Sequence, residues 1–240
     1  MKIIVLKFGG TSVGTIKRIN NISKIIVSYL KKRFKVIVVT SAMSGATNKL
    51  IKKSKQISDK FNDSEYDVLV SSGEQISCSL IAAKLSHLGY KSKSYLGWQV
   101  PIVTDNAHKS AKIISIGKKV LINYLRQDGV PIVAGFQGIS LDGRITTLGR
   151  GASDYTAIMI SKYFKAKKCI IYTDVEGVMT TDPRIYRKAK KIKEISYEEM
   201  LEMSSLGSKV MQSNSVQDAR FNRGNIDVRS YFIKSKGTLI

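Results

Sequence analysis

The sequence predicts an α/β fold, an open and mainly parallel sheet with helices on both faces, three layers in all. Three observations carry this. Short β-rich runs alternate with stretches of helical period along the whole chain. Several of those runs are apolar throughout rather than alternating, as strands buried on both faces are. Four of them end in loops rich in Gly, Ser or Thr, where open parallel sheets bind their ligands. The chain has 240 residues, only three prolines, and no repeat or Pro/Ser-rich linker. One domain, residues 1–240, is expected, with a soft division near residue 140 between lobes of about 1–140 and 141–240.

The elements follow in order. Residues 3–8 read as the first strand, and a helix over 16–33 keeps Ile16, Ile19, Ile22, Ile26, Tyr29 and Leu30 on one stripe. A second strand spans 36–40, and helices follow at 47–59 and 74–88. A helix at 117–127 precedes the strand 130–134, and a helix at 153–164 precedes the strand 170–173. Helices at 196–205 and 207–221 lead to a last strand at 226–229.

Composition excludes several classes. With 43% hydrophobic and 24% charged residues the chain is an ordinary globular one, not a disordered segment. Cys78 and Cys169 form no CxxC or Cys/His cluster, so neither a disulfide framework nor a zinc site is expected. No apolar run approaches the roughly 18 residues of a membrane helix, and the N-terminal run is too short for a signal sequence. A cytoplasmic protein with no membrane partner is the expectation.

The formal net charge of +22 is the unusual quantity. Residues 1–60 hold 14 basic side chains and one acidic, so more than half of the excess lies there. Lys17, Arg18, Lys24 and Lys31 fall off the apolar stripe of the first helix, which predicts a solvated outer face. Only Phe8, Tyr29 and Phe34 interleave these cations, too few aromatics for a nucleic-acid groove, so no nucleic-acid partner is expected.

Glycine placement locates the chemistry. In Lys7-Phe8-Gly9-Gly10-Thr11-Ser12, backbone N–H groups can converge on an anion, with Lys7 as a fixed charge against phosphate. A lysine snorkelling to solvent is the bland alternative. Ser41 to Thr47 follows the second strand, and Gly135-Phe136-Gln137-Gly138 follows another. In Thr147-Leu148-Gly149-Arg150-Gly151-Ala152-Ser153-Asp154, a glycine-flanked Arg150 can fork onto a carboxylate, while Ser153 reads equally as a helix N-cap. Tyr172-Thr173-Asp174-Val175-Glu176-Gly177 and Asp182-Pro183-Arg184 suit a nucleotide and its magnesium, although Asp182 also suits a plain turn. Glu74, after Ser71-Ser72-Gly73, either serves a helix N-terminus or binds an ammonium group. Lys209, after Gly207-Ser208, is a cation where the helix dipole disfavours one unless it meets phosphate. His87 and His108 have no nucleophile motif beside them and read as surface or core residues. Together these residues suit phosphoryl transfer by positioning and electrostatics.

These motifs resemble the successive signatures of the aspartokinases, members of the amino-acid-kinase superfamily. The match rests on Lys7-Phe8-Gly9-Gly10-Thr11-Ser12-Val13, Ser41 to Thr47, Ser72-Gly73-Glu74, Gly135 to Gly138, Thr147 to Asp154, Tyr172 to Gly177 and Gly207-Ser208-Lys209-Val210. It runs from residue 3 to Gly237-Thr238-Leu239-Ile240. The resemblance implies the amino-acid-kinase fold and ATP-dependent phosphorylation of the L-aspartate β-carboxylate to 4-phospho-L-aspartate, which opens the route to lysine, diaminopimelate, threonine and methionine. It implies Lys7, Gly9, Gly10 and Lys209 on the transferring phosphate, and Thr173, Asp174, Met179, Asp182 and Arg184 on the nucleotide. It places Ser41, Thr47, Glu74, Arg150, Gly151, Ser153 and Asp154 around aspartate, with Arg150 on the α-carboxylate and Glu74 and Asp154 on the ammonium. ATP and Mg²⁺ are the implied cofactors, the metal bridged mainly by phosphates. Met179 stands where the family often has an aromatic residue. Similar aspartokinases continue past this segment into two ACT domains, so the resemblance implies a catalytic half whose regulatory half is absent, is a separate chain, or belongs to a longer chain of which these residues are a part. A homodimer through the catalytic half, or a separate ACT-domain chain, would then be the partner.

Overall fold

A computed structural model describes residues 1–149, 151–182, 185–206, 211, 225–233 and 235–240. In chain order the first elements are β1 (Ile3–Phe8), α1 (Ile16–Lys31), β2 (Lys35–Thr40), α2 (Ala46–Ile57) and α3 (Asp63–His87). Then come β3 (Ser92–Tyr95), β4 (Ile102–Thr104), β5 (Ile113–Ile116), α4 (Lys119–Arg126), β6 (Val130–Ala134), β7 (Gln137–Ser140) and β8 (Ile145–Thr147). The last are α5 (Ala152–Tyr163), β9 (Lys168–Thr173), α6 (Tyr197–Ser205), β10 (Ile226–Ser230) and β11 (Thr238–Leu239).

Among the described residues, seven strands form the main sheet in the order β11-β10-β9-β1-β2-β6-β3. All neighbours are parallel except β10 and β11. β1 is central and all six of its residues are buried, which is why all but Lys7 are apolar, with no alternation. Its alternate side chains enter two cores. Ile3 and Val5 join Leu121 and Leu125 of α4, Ala157 and Ile160 of α5, and Met200 of α6. Ile4, Leu6 and Phe8 join Ile19, Ile22 and Ile26 of α1, and Cys78, Ile81 and Leu85 of α3. One sheet between two helical layers is therefore the architecture. Among the described residues no helix is long and apolar enough to cross a membrane.

Two features depart from expectation. A second sheet, β5-β4-β7-β8, rests against the first core through Ile102, Ile113 and Ile116. Its strands have only three or four residues, too short to impose a period on the sequence. The third helix begins at residue 63 rather than 74, because Asn62 accepts the Ser64 and Glu65 N–H groups and Asp63 and Glu65 suit the first-turn dipole. Ser71-Ser72-Gly73, which reads as a break, continues the helix. The helix expected over 207–221 lies almost wholly outside the described residues.

The early lysines are solvated as expected, with Lys17, Lys24, Lys31, Lys49, Lys52, Lys53 and Lys55 all exposed. Arg18 is the exception. Its guanidinium donates to the Thr11 carbonyl at 2.8 Å and stands 5.8 Å from the Phe232 ring centroid.

Candidate active site

β9, β1, β2 and β6 lie side by side and parallel, so the segments after their carboxyl ends converge along one edge. These are the glycine-bearing segments starting at Gly9, Ser41, Gly135 and Asp174. The Gly9–Ser12 turn is stitched to its neighbours by Gly9 N–H to the Tyr172 carbonyl (3.4 Å) and Ser44 N–H to the Gly10 carbonyl (3.1 Å). Gly10 is required by close approach, since a Cβ there would stand 2.8 Å from the Ala42 carbonyl oxygen. The Thr11 carbonyl accepts from both Arg18 and the Tyr231 hydroxyl, the latter at 3.1 Å.

Lys7 occupies the end of β1, paired in register with Val39 and Ile171. It is only 8% exposed, and its Nζ lies 2.7 Å from Asp154 Oδ1. A Cβ built on Gly9 would lie 3.4 Å from that Nζ, so the ammonium stands over the glycine turn. It does not snorkel to solvent.

α5 points its N-terminus at the same place. Its N-cap is Gly151, at φ 77° with no side-chain cap bond, so Ser153 is not the cap. Ser153 and Asp154 are instead buried residues of the first turn. Gly135 admits this turn closely, because a Cβ there would meet Ser153 Cβ at 2.8 Å. Phe136, a non-glycine residue at φ 68°, is held by its N–H donation to Thr156 Oγ1 at 3.1 Å. Backbone strain of this kind persists where the surroundings over-determine it.

Glu74 sits in the middle of α3, so the N-terminal dipole reading is excluded. Gly73 beside it lets Ala42 approach, since a Cβ on Gly73 would stand 2.8 Å from Ala42 Cβ. Ala42 N–H then donates to Glu74 Oε1 at 2.9 Å, while Oε2 is buried without a hydrogen-bond partner. Burial pushes the Glu74 carboxyl up to about 7, against the opposing effect of the Ala42 hydrogen bond.

These groups enclose one cavity of about 300 Å³. Lys7, Ser41, Thr47, Glu74, Gly151, Ser153 and Asp154 line it, all singled out from the sequence. Ala42, Asn48, Ile51, Tyr66, Lys109, Phe136, Thr147, Gly149 and Ala152 complete the wall. Tyr66 and Lys109 belong to segments where the sequence shows no glycine signal, and nothing short of the tertiary fold would have found them. Thr173, Asp174, Met179 and Asp182 do not line this cavity. They follow β9, the strand beside β1. Thr173 Oγ1 donates to Asp174 Oδ1 at 3.1 Å, Met179 bridges to Lys191, and the Asp182 carbonyl accepts from Ile185 and Tyr186. Arg150, Arg184 and Lys209 lie outside the described residues.

The cavity brings together a cation over a glycine turn, a helix N-terminus and a carboxylate with a free oxygen. An anion suits the first two, and a cation suits the third. The chain is similar to the aspartokinase of Geobacillus stearothermophilus, 46% identical over 240 residues, covering all of this chain and 59% of that protein. It is 48% identical over 246 residues to the aspartokinase of Rickettsia felis, covering 61% of it. The chain thus spans about three fifths of the length of these curated relatives. Among solved structures, aspartate kinase from Synechocystis superposes with a TM-score of 0.87 at 39% identity, over 99% of this chain and 39% of that one. E. coli aspartokinase III in complex with aspartate and ADP superposes with a TM-score of 0.89 at 28% identity, over 99% of this chain and 64% of that one. The sequence pattern of the amino acid kinase family matches residues 2–229, nearly the full length of both the sheet and the cavity-forming segments, and the chain belongs to that family.

Proposed function

We propose that this chain phosphorylates the β-carboxylate of L-aspartate with ATP, giving 4-phospho-L-aspartate and ADP, the first step toward lysine and diaminopimelate, threonine and methionine. The observation that carries the reading is the Lys7–Asp154 pair facing the half-satisfied Glu74 in one cavity. Aspartate presents two carboxylates and one ammonium, and it is compact enough for about 300 Å³. The similar E. coli enzyme, solved with aspartate and ADP, supports the same pairing of ligands.

In this reading Glu74 Oε2 and Asp154 take the ammonium, and Ser41, Thr47, Gly151 and Ser153 surround the substrate. Arg150, placed by the family resemblance, takes the α-carboxylate. The β-carboxylate is already ionised at neutral pH, so no general base is needed. One of its oxygens forms a bond to the γ-phosphorus while the bond from that phosphorus to the β,γ-bridging oxygen breaks, and ADP leaves with that electron pair. Lys7, the Gly9–Gly10 amides and the α5 N-terminus stabilise the charge on the transferring group, with Lys209 assigned by resemblance to its other side. Thr173, Asp174, Met179, Asp182 and Arg184 take the nucleotide beyond β9.

Magnesium prefers one or two carboxylates together with phosphate oxygens and water. Exposed Asp174, beside the glycine turn, fits that donor set, and among the described residues no cluster of three or more His, Cys, Asp or Glu forms a cage. The ion would arrive with the triphosphate and neutralise its charge.

The division into an aspartate lobe (about 1–140) and a nucleotide lobe (about 141–240) belongs to the same reading. β1, β2, β3 and β6 come from the first part, and β9, β10 and β11 from the second. A hydroxylamine trap for acyl phosphate, with ATP, Mg²⁺ and millimolar aspartate, tests the proposal. Hydroxamate formed only with all three present supports it, and none from folded protein refutes it.

A further inference from the structure

We propose that Asp67 is a positioning residue for the substrate cavity: from the interior of α3 it pins residues 105–112 and β8, so that Lys109 and Thr147 stand in the cavity wall. The inference rests on the aspartate reading of that cavity.

The Asp67 side chain is fully buried and shares its two oxygens among three donors. Thr147 Oγ1 donates to Oδ1 at 2.5 Å, and His108 Nδ1 meets Oδ2 at 2.7 Å. The Lys109 N–H reaches both oxygens, at 3.2 and 3.1 Å. Two segments lying 41 and 80 positions further along the chain are therefore fastened to α3 at one carboxylate. Two of the three donors, Lys109 and Thr147, line the cavity.

Lys109 needs such a fastening. It lies at φ 66°, where a side chain is disfavoured and glycine is the usual occupant. Its Nζ pairs with Asp63 and stands 5.0 Å from the Tyr66 ring centroid, both on the first turn of α3. Its carbonyl faces Gly149, where a Cβ would lie 3.4 Å from that oxygen. The segment is braced again by Ala111 N–H to the Thr147 carbonyl at 2.9 Å. Asp67 thus controls the wall formed by Lys109, Thr147 and Gly149, which continues into the α5 N-terminus.

An ionised carboxylate only accepts hydrogen bonds, which suits a ring of three donors. Asp67→Asn presents an amide N–H₂ to at least one of them and breaks the ring. The same logic fixes the His108 tautomer, because Nδ1 must carry the proton that Oδ2 accepts. Asn at position 108 can place an amide N–H where that proton stands, and Ala cannot.

The test uses the full chain with Asp67→Asn, His108→Ala and His108→Asn. Aspartate KM is expected to rise about tenfold in Asp67→Asn, with kcat and the ATP KM within about threefold of the parent. His108→Ala should raise aspartate KM several-fold, and His108→Asn should return it to within about twofold. Without any ligand, amide exchange over 105–112 should quicken by about tenfold or more in Asp67→Asn. Unchanged exchange there, or unchanged aspartate KM in both Asp67→Asn and His108→Ala, overturns the proposal. Equal losses in the Ala and Asn variants at 108 also overturn it. If the parent protein makes no acyl phosphate, the aspartate reading falls and the exchange result alone decides the role of Asp67. If Asp67→Asn does not fold, the pair of His108 variants decides it.

Discussion

Lys7 Nζ and Asp154 Oδ1 lie 2.7 Å apart, joining the central strand to the first turn of α5 across the cavity floor. Both side chains are about one-tenth exposed, so removing either partner leaves a charge with little water around it. Lys7→Met is therefore expected to lower both stability and, if Lys7 neutralises the transferring phosphate as proposed, turnover, the latter by about a thousandfold or more. Adding Asp154→Asn should recover stability, since the orphaned charge is gone, without restoring turnover. Thermal unfolding and the hydroxamate assay on the two single variants and the double variant separate these effects.

Glu74 gives a pH prediction. Its folded-state value of about 7 lies above its ordinary 4.5, so between these limits the native protein holds a proton that the unfolded chain has released. Stability from this group is therefore present below about pH 4.5 and lost as pH rises toward 7, by an amount on the order of 3 kcal/mol or less. Glu74→Gln should flatten that part of the stability curve in the ligand-free protein. In the proposed function aspartate binding has the opposite sense, because there only an ionised Glu74 pairs with the substrate ammonium. Aspartate KM should fall as pH rises through 7 in the parent and lose that dependence in Glu74→Gln.

Two glycines contrast close approach with simple backbone conformation. Gly10→Ala drives a methyl to 2.8 Å from the Ala42 carbonyl and should displace the Gly9–Ser12 turn, reducing kcat by about a hundredfold or more if that turn holds phosphate as proposed. Gly143→Ala lies in the turn between β7 and β8 at φ 82°, with open space around it. It should cost about 1 kcal/mol of stability and leave kinetics intact. Equal kinetic effects of the two would contradict the assigned geometry.

Arg18→Ala removes one of the two side-chain donors to the Thr11 carbonyl, leaving the Tyr231 hydroxyl at 3.1 Å and the Gly14 N–H at 3.5 Å. ATP KM should rise several-fold with aspartate KM unchanged, because the phosphate turn loosens while the aspartate wall does not.

Much of this molecule is legible in its sequence, for reasons that particular residues make plain. β1, Lys7 apart, and β6 are apolar because both faces are buried, and their bounds can be read directly. α1 shows its stripe because one face meets the second core and the other meets water. α3 hides its start because it is lined by small and polar side chains: Ser71, Gly73, Glu74 and Ser77 are all buried in it, and period alone does not find such a helix. The glycine motifs point to the strand ends around the cavity because close backbone approach leaves a compositional mark, as where Gly10 admits cavity-lining Ala42 and Gly135 admits Ser153. Asp67, His108 and Lys109 leave no such mark. Their relationship depends on a loop folding onto a helix some 40 residues away, and only three-dimensional structure brings them together.

In the proposed function one cavity holds aspartate by its ammonium at Glu74 while Lys7 faces the transferring phosphate. The most direct measurement is acyl-phosphate formation by the full chain with Mg²⁺ and ATP, run in parallel with aspartate and with succinate. Succinate keeps both carboxylates and lacks the ammonium. Hydroxamate from aspartate, with kcat/KM at least about a hundredfold lower for succinate and that preference collapsing in Glu74→Gln, is the predicted result. Equal use of the two acids, or no acyl phosphate from either by folded protein, would contradict it.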